Sequence, residues 1–203
     1  RAIVLDCLRQ TNMIPKKNRF IIYIIVGIVI ASSCRTTKQD PLPVLGRIPE
    51  FIMTDSRGAS FGYNDLQGKI WVADFIFTTC SGPCPIMSSE MAKVHQEFIE
   101  DESIRTVSYT VNPDYDTPEV LSEYAERYNA NTDQWHFLTA SYDDIQSIIV
   151  NGFKMGDIKE IVFHSTRFAL VDKEMNIRGY YVGTELEDVR KLKKDIHRLK
   201  KEA

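Results

Sequence analysis

A chain of 203 residues is long enough for one well-cored domain and too short for two such domains with a leader. Its 43% hydrophobic and 26% charged residues are ordinary for a globular protein. The net charge of −3, with no long basic run interleaved with aromatics, leaves no footprint for nucleic acid.

The first features in chain order belong to export. Lys16, Lys17 and Arg19 form a positive patch ahead of an almost wholly apolar stretch, residues 20–31, which Ser32, Ser33 and Cys34 close. About 10–14 apolar residues suit the core of a signal peptide better than a spanning helix, which needs about 20. Small residues directly before a cysteine resemble the lipobox of bacterial lipoproteins, so Cys34 is the expected lipidated first residue of the mature chain and Met13 the expected start. An uncleaved single-span anchor is the other reading. Both make the protein membrane-anchored, with its domain in the bacterial cell envelope or periplasm. On this reading residues 1–34 are upstream residues and signal or anchor, residues 35–48 with Pro41 and Pro43 are a tether, and residues 49–203 are the domain. With Cys7 upstream of the start and Cys34 taken by lipid, Cys80 and Cys84 are the thiols of the exported domain. An oxidising compartment permits a disulfide between them.

Within the domain, residues 49–53 form a short strand candidate, and turns follow at 55–58 and 64–68. Residues 70–77 are apolar almost continuously and read as a buried strand interrupted by Asp74. A helix over 86–98 places Met87, Met91, Val94 and Phe98 on one stripe, with Pro85 in its first turn. A second strand spans 104–111. Thr117 as N-cap and Pro118 at the first helical position then open a helix whose apolar side carries Val120, Leu121, Tyr124 and Tyr128. A strand at 135–138 and a helix at 142–150 follow. A strand at 161–172 contains His164 and pairs with 175–182 as a hairpin. The last helix, 186–201, has Leu186, Val189, Leu192, Ile196 and Leu199 on one side, with acids first and lysines last as the helix dipole prefers. Alternating strands and helices followed by a hairpin predict an α/β sheet with helices on both faces.

The chemistry centres on Cys80-Ser81-Gly82-Pro83-Cys84, which joins the strand at 70–77 to the following helix. A thiolate is both nucleophile and metal ligand, and a helix N-terminus is expected to lower the pKa of Cys84. An inert structural disulfide is the blander reading, but a loop this short removes little chain entropy. Two thiolates with one imidazole would make a soft trigonal set suited to Cu(I), and no convincing fourth ligand for a closed zinc site appears. Of the four histidines, His95 is about 16 Å along the helix from Cys84. His136 reads as structural and His197 as solvated. His164, alone, reads more naturally as a hydrogen-bonded core residue than as a ligand. Met87, Met91 and Met155 offer thioethers, but helical spacing makes the first two core filling.

Four motifs then occur in register. Thr79-Cys80-x-x-x-Cys84-Pro85, Asp114-x-Asp116-Thr117-Pro118-Glu119, Trp135-His136-Phe137-Leu138-Thr139 and Val162-x-His164-Ser165 together resemble the SCO/SenC family of copper-binding, thioredoxin-fold proteins, from about residue 48 to the C-terminus. The resemblance implies a thioredoxin-like three-layer sandwich with a central mixed sheet. It implies copper, as Cu(I) or Cu(II), held by Cys80, Cys84 and His164. It also implies delivery of that copper to the dinuclear copper centre of cytochrome c oxidase, whose copper-centre subunit would be the partner, alongside other copper carriers or thiol-disulfide reductases. The family often has Pro where Ser81 stands and Asp where Phe163 stands. Thioredoxins, in turn, carry a buried Asp six residues before the first cysteine, the place of Asp74, where it assists proton transfer. The alternative function is therefore an exported thiol-disulfide reductase, with Cys80 attacking a target disulfide, Cys84 resolving the mixed disulfide and Asp74 as proton shuttle. Thioredoxin-type enzymes place a cis-proline beside the cysteines. This chain has no proline after Pro118, and its late strand carries His164 instead, which favours metal.

Overall fold

The computed structural model describes residues 40–155 and 166–202. From Pro41 onward the chain forms a unit of its own. Its centre is strand β4 (Ile70–Ile76), whose residues are all buried because both faces of the sheet are covered. β4 pairs in parallel with β5 (Ile104–Thr110), and β5 in parallel with β6 (Trp135–Thr139). On its other side β4 pairs antiparallel with β7 (Arg167–Val171), which forms a hairpin with β8 (Asn176–Val182). Three short strands finish the sheet: β1 (Gly46–Arg47) beside β8, then β2 (Ile52–Asp55) and β3 (Ser60–Gly62) beyond β6. The order is β1-β8-β7-β4-β5-β6-β2-β3, a mixed sheet.

Strand alternation sorts the core into two layers. Ile70, Val72 and Ile76 face α2 (Pro83–Glu97), α3 (Pro118–Arg127) and α5 (Leu186–Glu202), which contribute Met87, Met91, Leu121, Leu192 and Ile196 among others. Trp71, Ala73 and Phe75 face the opposite layer. There Leu66 of α1 (Tyr63–Leu66), Ile145 of α4 (Tyr142–Ser147), and Ile148, Ile149 and Phe153 around a π-helical turn (Ile148–Gly152) close the second core. The fold is the expected α/β three-layer sandwich with helices on both faces.

Two differences from the sequence reading have local causes, and one expected strand is described only in part. The end of the expected tether is woven into the domain: Leu42 is buried in the first core, Ile48 in the second, and Gly46–Arg47 pairs with β8. Arg178 holds this segment, donating from Nη2 to the Leu42 carbonyl at 2.6 Å and from Nε to the Pro43 carbonyl at 3.2 Å. The same guanidinium pairs with Asp172 at 2.9 Å and Glu202 at 2.8 Å. The strand expected over 161–172 is described only as Arg167–Val171, and residues 156–165 lie outside the described residues. Leu186, expected on the apolar side of the last helix, stands exposed at its first position, where the stripe has not yet reached the core.

Candidate functional site

β4 delivers the chain to the site. After Ile76, whose carbonyl accepts from the Val111 N–H at 2.8 Å, the chain makes a tight turn closed by the Cys80 N–H donating to the Phe77 carbonyl at 3.1 Å. One carboxylate holds that turn. Asp116, fully buried, accepts from the Thr78 N–H at 3.1 Å and from the Thr78 hydroxyl at 2.5 Å. It also accepts from the hydroxyl of Thr110, the last residue of β5, at 2.5 Å. Ser81 and Gly82 then run exposed to α2. That helix starts at Pro83, three residues before the expected 86, with Gly82 as N-cap. Proline at the first helical position has a suitable φ and gives up no hydrogen bond, which is why the helix can open there. Cys84 is therefore its second residue and is buried, whereas Cys80 is half-buried. The Cys80 thiol is near enough to act on the ionisation of Cys84, and neither cysteine is in a disulfide.

The expectation that the helix N-terminus lowers the Cys84 pKa is overturned. Burial pushes this thiol up to about 12, the neighbouring Cys80 thiol adds to the shift, and the Phe77 backbone opposes it. Two features explain the sign. The thiol is turned into the core, and Pro83 and Pro85 remove two of the first-turn N–H groups that would otherwise stabilise an anion.

Asp74 lies on the β4 face that packs under α2, and its charge is close enough to raise the Cys84 pKa slightly. It is completely buried, and burial lifts its pKa to about 7. Ser108, its register partner on β5, counters part of this shift. It does so from outside hydrogen-bonding geometry, since neither Asp74 oxygen has a protein donor in reach and the Ser108 hydroxyl accepts from Trp135 Nε1 at 3.0 Å.

Cys80 and Cys84 are thus neighbours, with Asp74 on the β4 face beneath α2, while His164 and Cys34 lie outside the described residues. Among the described residues no group of three His, Cys, Asp or Glu side chains is disposed to hold a metal ion. The dithiol supplies two soft donors on one side of the loop, and a further ligand would have to come from elsewhere. The other histidines are elsewhere. His95 Nε2 accepts from the Asn131 N–H at 3.2 Å, His136 stacks on Phe61 with ring centroids 4.1 Å apart, and His197 is 3.5 Å from Glu97. Met87 and Met91 are buried core filling. The residue whose part was not anticipated is Asp116. Its motif reads as a loop and helix start, and nothing in the spacing says that Asp116 turns inward while Asp114 and Tyr115 stay exposed.

The SCO1/SenC family profile matches residues 45–201. The chain belongs to the SCO1/SenC family. Among solved structures, this SCO1/SenC protein resembles a SCO1/SenC family lipoprotein from Bacillus anthracis str. Ames, with a TM-score of 0.70 and 31% identity, covering 79% of this chain and 99% of that one. It also resembles BsSco, a member of the Sco family of cytochrome c oxidase assembly proteins in which a disulfide switch is identified, with a TM-score of 0.69 and 27% identity over 79% and 98% of the two chains. A putative copper-binding protein of Stutzerimonas stutzeri is 28% identical over 149 residues, 68% of this chain and 71% of its own. Among the described residues no helix is long and apolar enough to cross a membrane.

Proposed function

We propose that this SCO1/SenC protein is a copper metallochaperone that carries copper as cargo, held by Cys80, Cys84 and His164, to the copper-centre subunit of cytochrome c oxidase during assembly. One observation supports this reading above the others: two thiols on independent mounts, a turn and a helix start, stand at a partly open loop, near enough for Cys80 to act on the ionisation of Cys84. Thiolates are soft donors that select Cu(I), and an imidazole completes a trigonal set from which cargo can leave by ligand exchange. Membership of a family that includes oxidase assembly proteins, and likeness to a putative copper-binding protein, agree with it. The basic patch, apolar stretch and Cys34 support export with a lipid at Cys34, in keeping with the lipoprotein relative.

The test is an anaerobic Cu(I) titration of the reduced protein from Gln39 onward against a competing chelator, wild type beside His164→Ala. Tight one-to-one binding that the variant loses, with disulfide formation spared, is the expected result. Full retention of stoichiometric copper by His164→Ala overturns the ligand set.

One observation favours a second activity, thiol-disulfide reduction, on the same residues. The more accessible Cys80 is placed to attack a target disulfide, the buried Cys84 to resolve it, and the buried Asp74, with its pKa lifted to about 7, to exchange a proton with a thiol. An oxidised pair has no thiolates to offer copper, so the two activities alternate on one protein. Asp74→Asn should slow reduction of a model disulfide about tenfold or more while leaving Cu(I) stoichiometry unchanged. An unchanged rate removes Asp74 from the mechanism.

A further inference from the structure

We propose that Asp116 is the positioning residue of the dithiol: by clamping the turn that carries Cys80 to the end of β5, it sets the spacing of the two sulfurs and so tunes both copper affinity and disulfide equilibrium. The inference rests on the reading of Cys80 and Cys84 as the working pair.

The two cysteines are mounted differently. Cys84 is fixed by α2, whose stripe of Met87, Met91 and Val94 is buried against the sheet. Cys80 lies beyond the end of β4, outside the sheet ladder, and its backbone is held by the single turn bond to Phe77. What anchors that turn laterally is Thr78, at its second position. Both donors of Thr78, the N–H and the hydroxyl, go to Asp116. The other end of the clamp is equally firm. The Asp116 carboxylate takes the Thr110 hydroxyl, Thr110 Oγ accepts from the Asn112 N–H at 3.0 Å, and the Asp116 N–H donates to the Asn112 carbonyl at 2.9 Å. A carboxylate is the right group for the place. Its two oxygens meet three donors with no hydrogen of their own to misplace, and the whole residue is excluded from solvent, where such bonds are strongest.

The chemistry is sensitive to this mount. A disulfide tolerates only a narrow range of Cβ separation, and a preorganised ligand pair binds a metal without first being assembled. Thr78 is two residues from Cys80, so freedom at Thr78 is passed directly to one sulfur and not to the other.

Four variants test it: Asp116→Ala, Asp116→Asn, Thr78→Val and, as a control, Thr117→Ala. The last removes the N-cap bond of Thr117 to the Val120 N–H without touching the turn. Cu(I) affinity is measured by chelator competition. The dithiol constant is measured in glutathione buffers, where the two thiols and one oxidised glutathione give the intramolecular disulfide and two reduced glutathiones. Asp116→Ala and Thr78→Val should each weaken Cu(I) at least tenfold and move the dithiol constant at least tenfold, about 30 mV for a two-electron couple. Asp116→Asn keeps an oxygen for the Thr78 N–H and should recover part of both. Thr117→Ala should lower thermal stability and leave both constants unchanged. If Asp116→Ala does not fold, Thr78→Val decides, because it keeps the turn and the amide bond and loses only the hydroxyl. A folded Thr78→Val with wild-type constants overturns the assignment of Asp116 alone. A wild type that neither binds Cu(I) nor cycles its disulfide overturns the functional reading, and this inference with it.

Discussion

Asp74 and His136 are buried on opposite faces of the sheet, and their ionisations respond to pH with opposite signs. Burial raises Asp74 from 3.8 to about 7, so the folded protein keeps a proton that the unfolded chain has lost. Its contribution is complete at low pH and disappears as pH climbs from about 4 to 7. His136 is the reverse: burial, helped by Arg105 and Arg57, lowers it from 6.5 to about 4. The unfolded chain takes up that proton first, so this contribution is complete above 6.5 and disappears as pH falls towards 4. Each slope reaches about 1.4 kcal/mol per pH unit at most, and over the shared interval the two offset. Asp74→Asn should therefore unmask acid sensitivity, and His136→Leu should leave a protein that gains stability on acidification from pH 7 to 5. Urea midpoints at several pH values decide the matter; parallel profiles for wild type and both variants would contradict the assignment. The sequence reading recognised Asp74 by its place before Cys80, and His136 as structural. Neither charge state was legible, because each depends on what the other elements stack on top.

At the scale of elements, the cysteines are mounted by a helix that begins with two prolines in three residues and a turn that borrows its anchor from the next loop. The apolar run of β4 and the stripes of α2, α3 and α5 were readable because each spans two or more periods of its pattern. β1, β3 and α1 were not, since two, three and four residues span less than two periods of their patterns. The helix expected to reach residue 150 instead ends at Ser147 and widens into the π-helical turn, closed by the Phe153 N–H on the Ile148 carbonyl at 2.9 Å. That widening lets Ile148, Ile149 and Phe153 all reach the second core. The pair Cys80 and Cys84 could be read from spacing alone, whereas the Asp116 clamp, made across 38 residues to Thr78, could not. Another long-range clamp carries a prediction of its own. Arg178→Met should cost about 2–4 kcal/mol and open residues 41–48 to protease, because it takes the cationic partner from the buried Asp172 and frees the Leu42 and Pro43 carbonyls. A protease-resistant variant of wild-type stability would show that the segment is held by its apolar side chains instead.

For the molecule as a whole, the sheet has a working end and a holding end. The cysteine turn follows the C-terminal end of β4, while Ile70 at the other end lies with Arg178 and Glu202 around a shared hollow. Seven residues of strand, about 23 Å, separate the two. At the holding end the Leu42 N–H donates to Glu202 Oε1 at 3.2 Å, so the two ends of the described domain touch. Ends that meet can be joined. A short linker across this contact, with new termini cut in an exposed surface loop, should yield a circular permutant that folds and keeps its thiol chemistry. A fluorescent protein fused after the last residue would likewise ride on the face remote from Cys80 and Cys84, reporting on the domain without shading the sulfurs from an incoming acceptor.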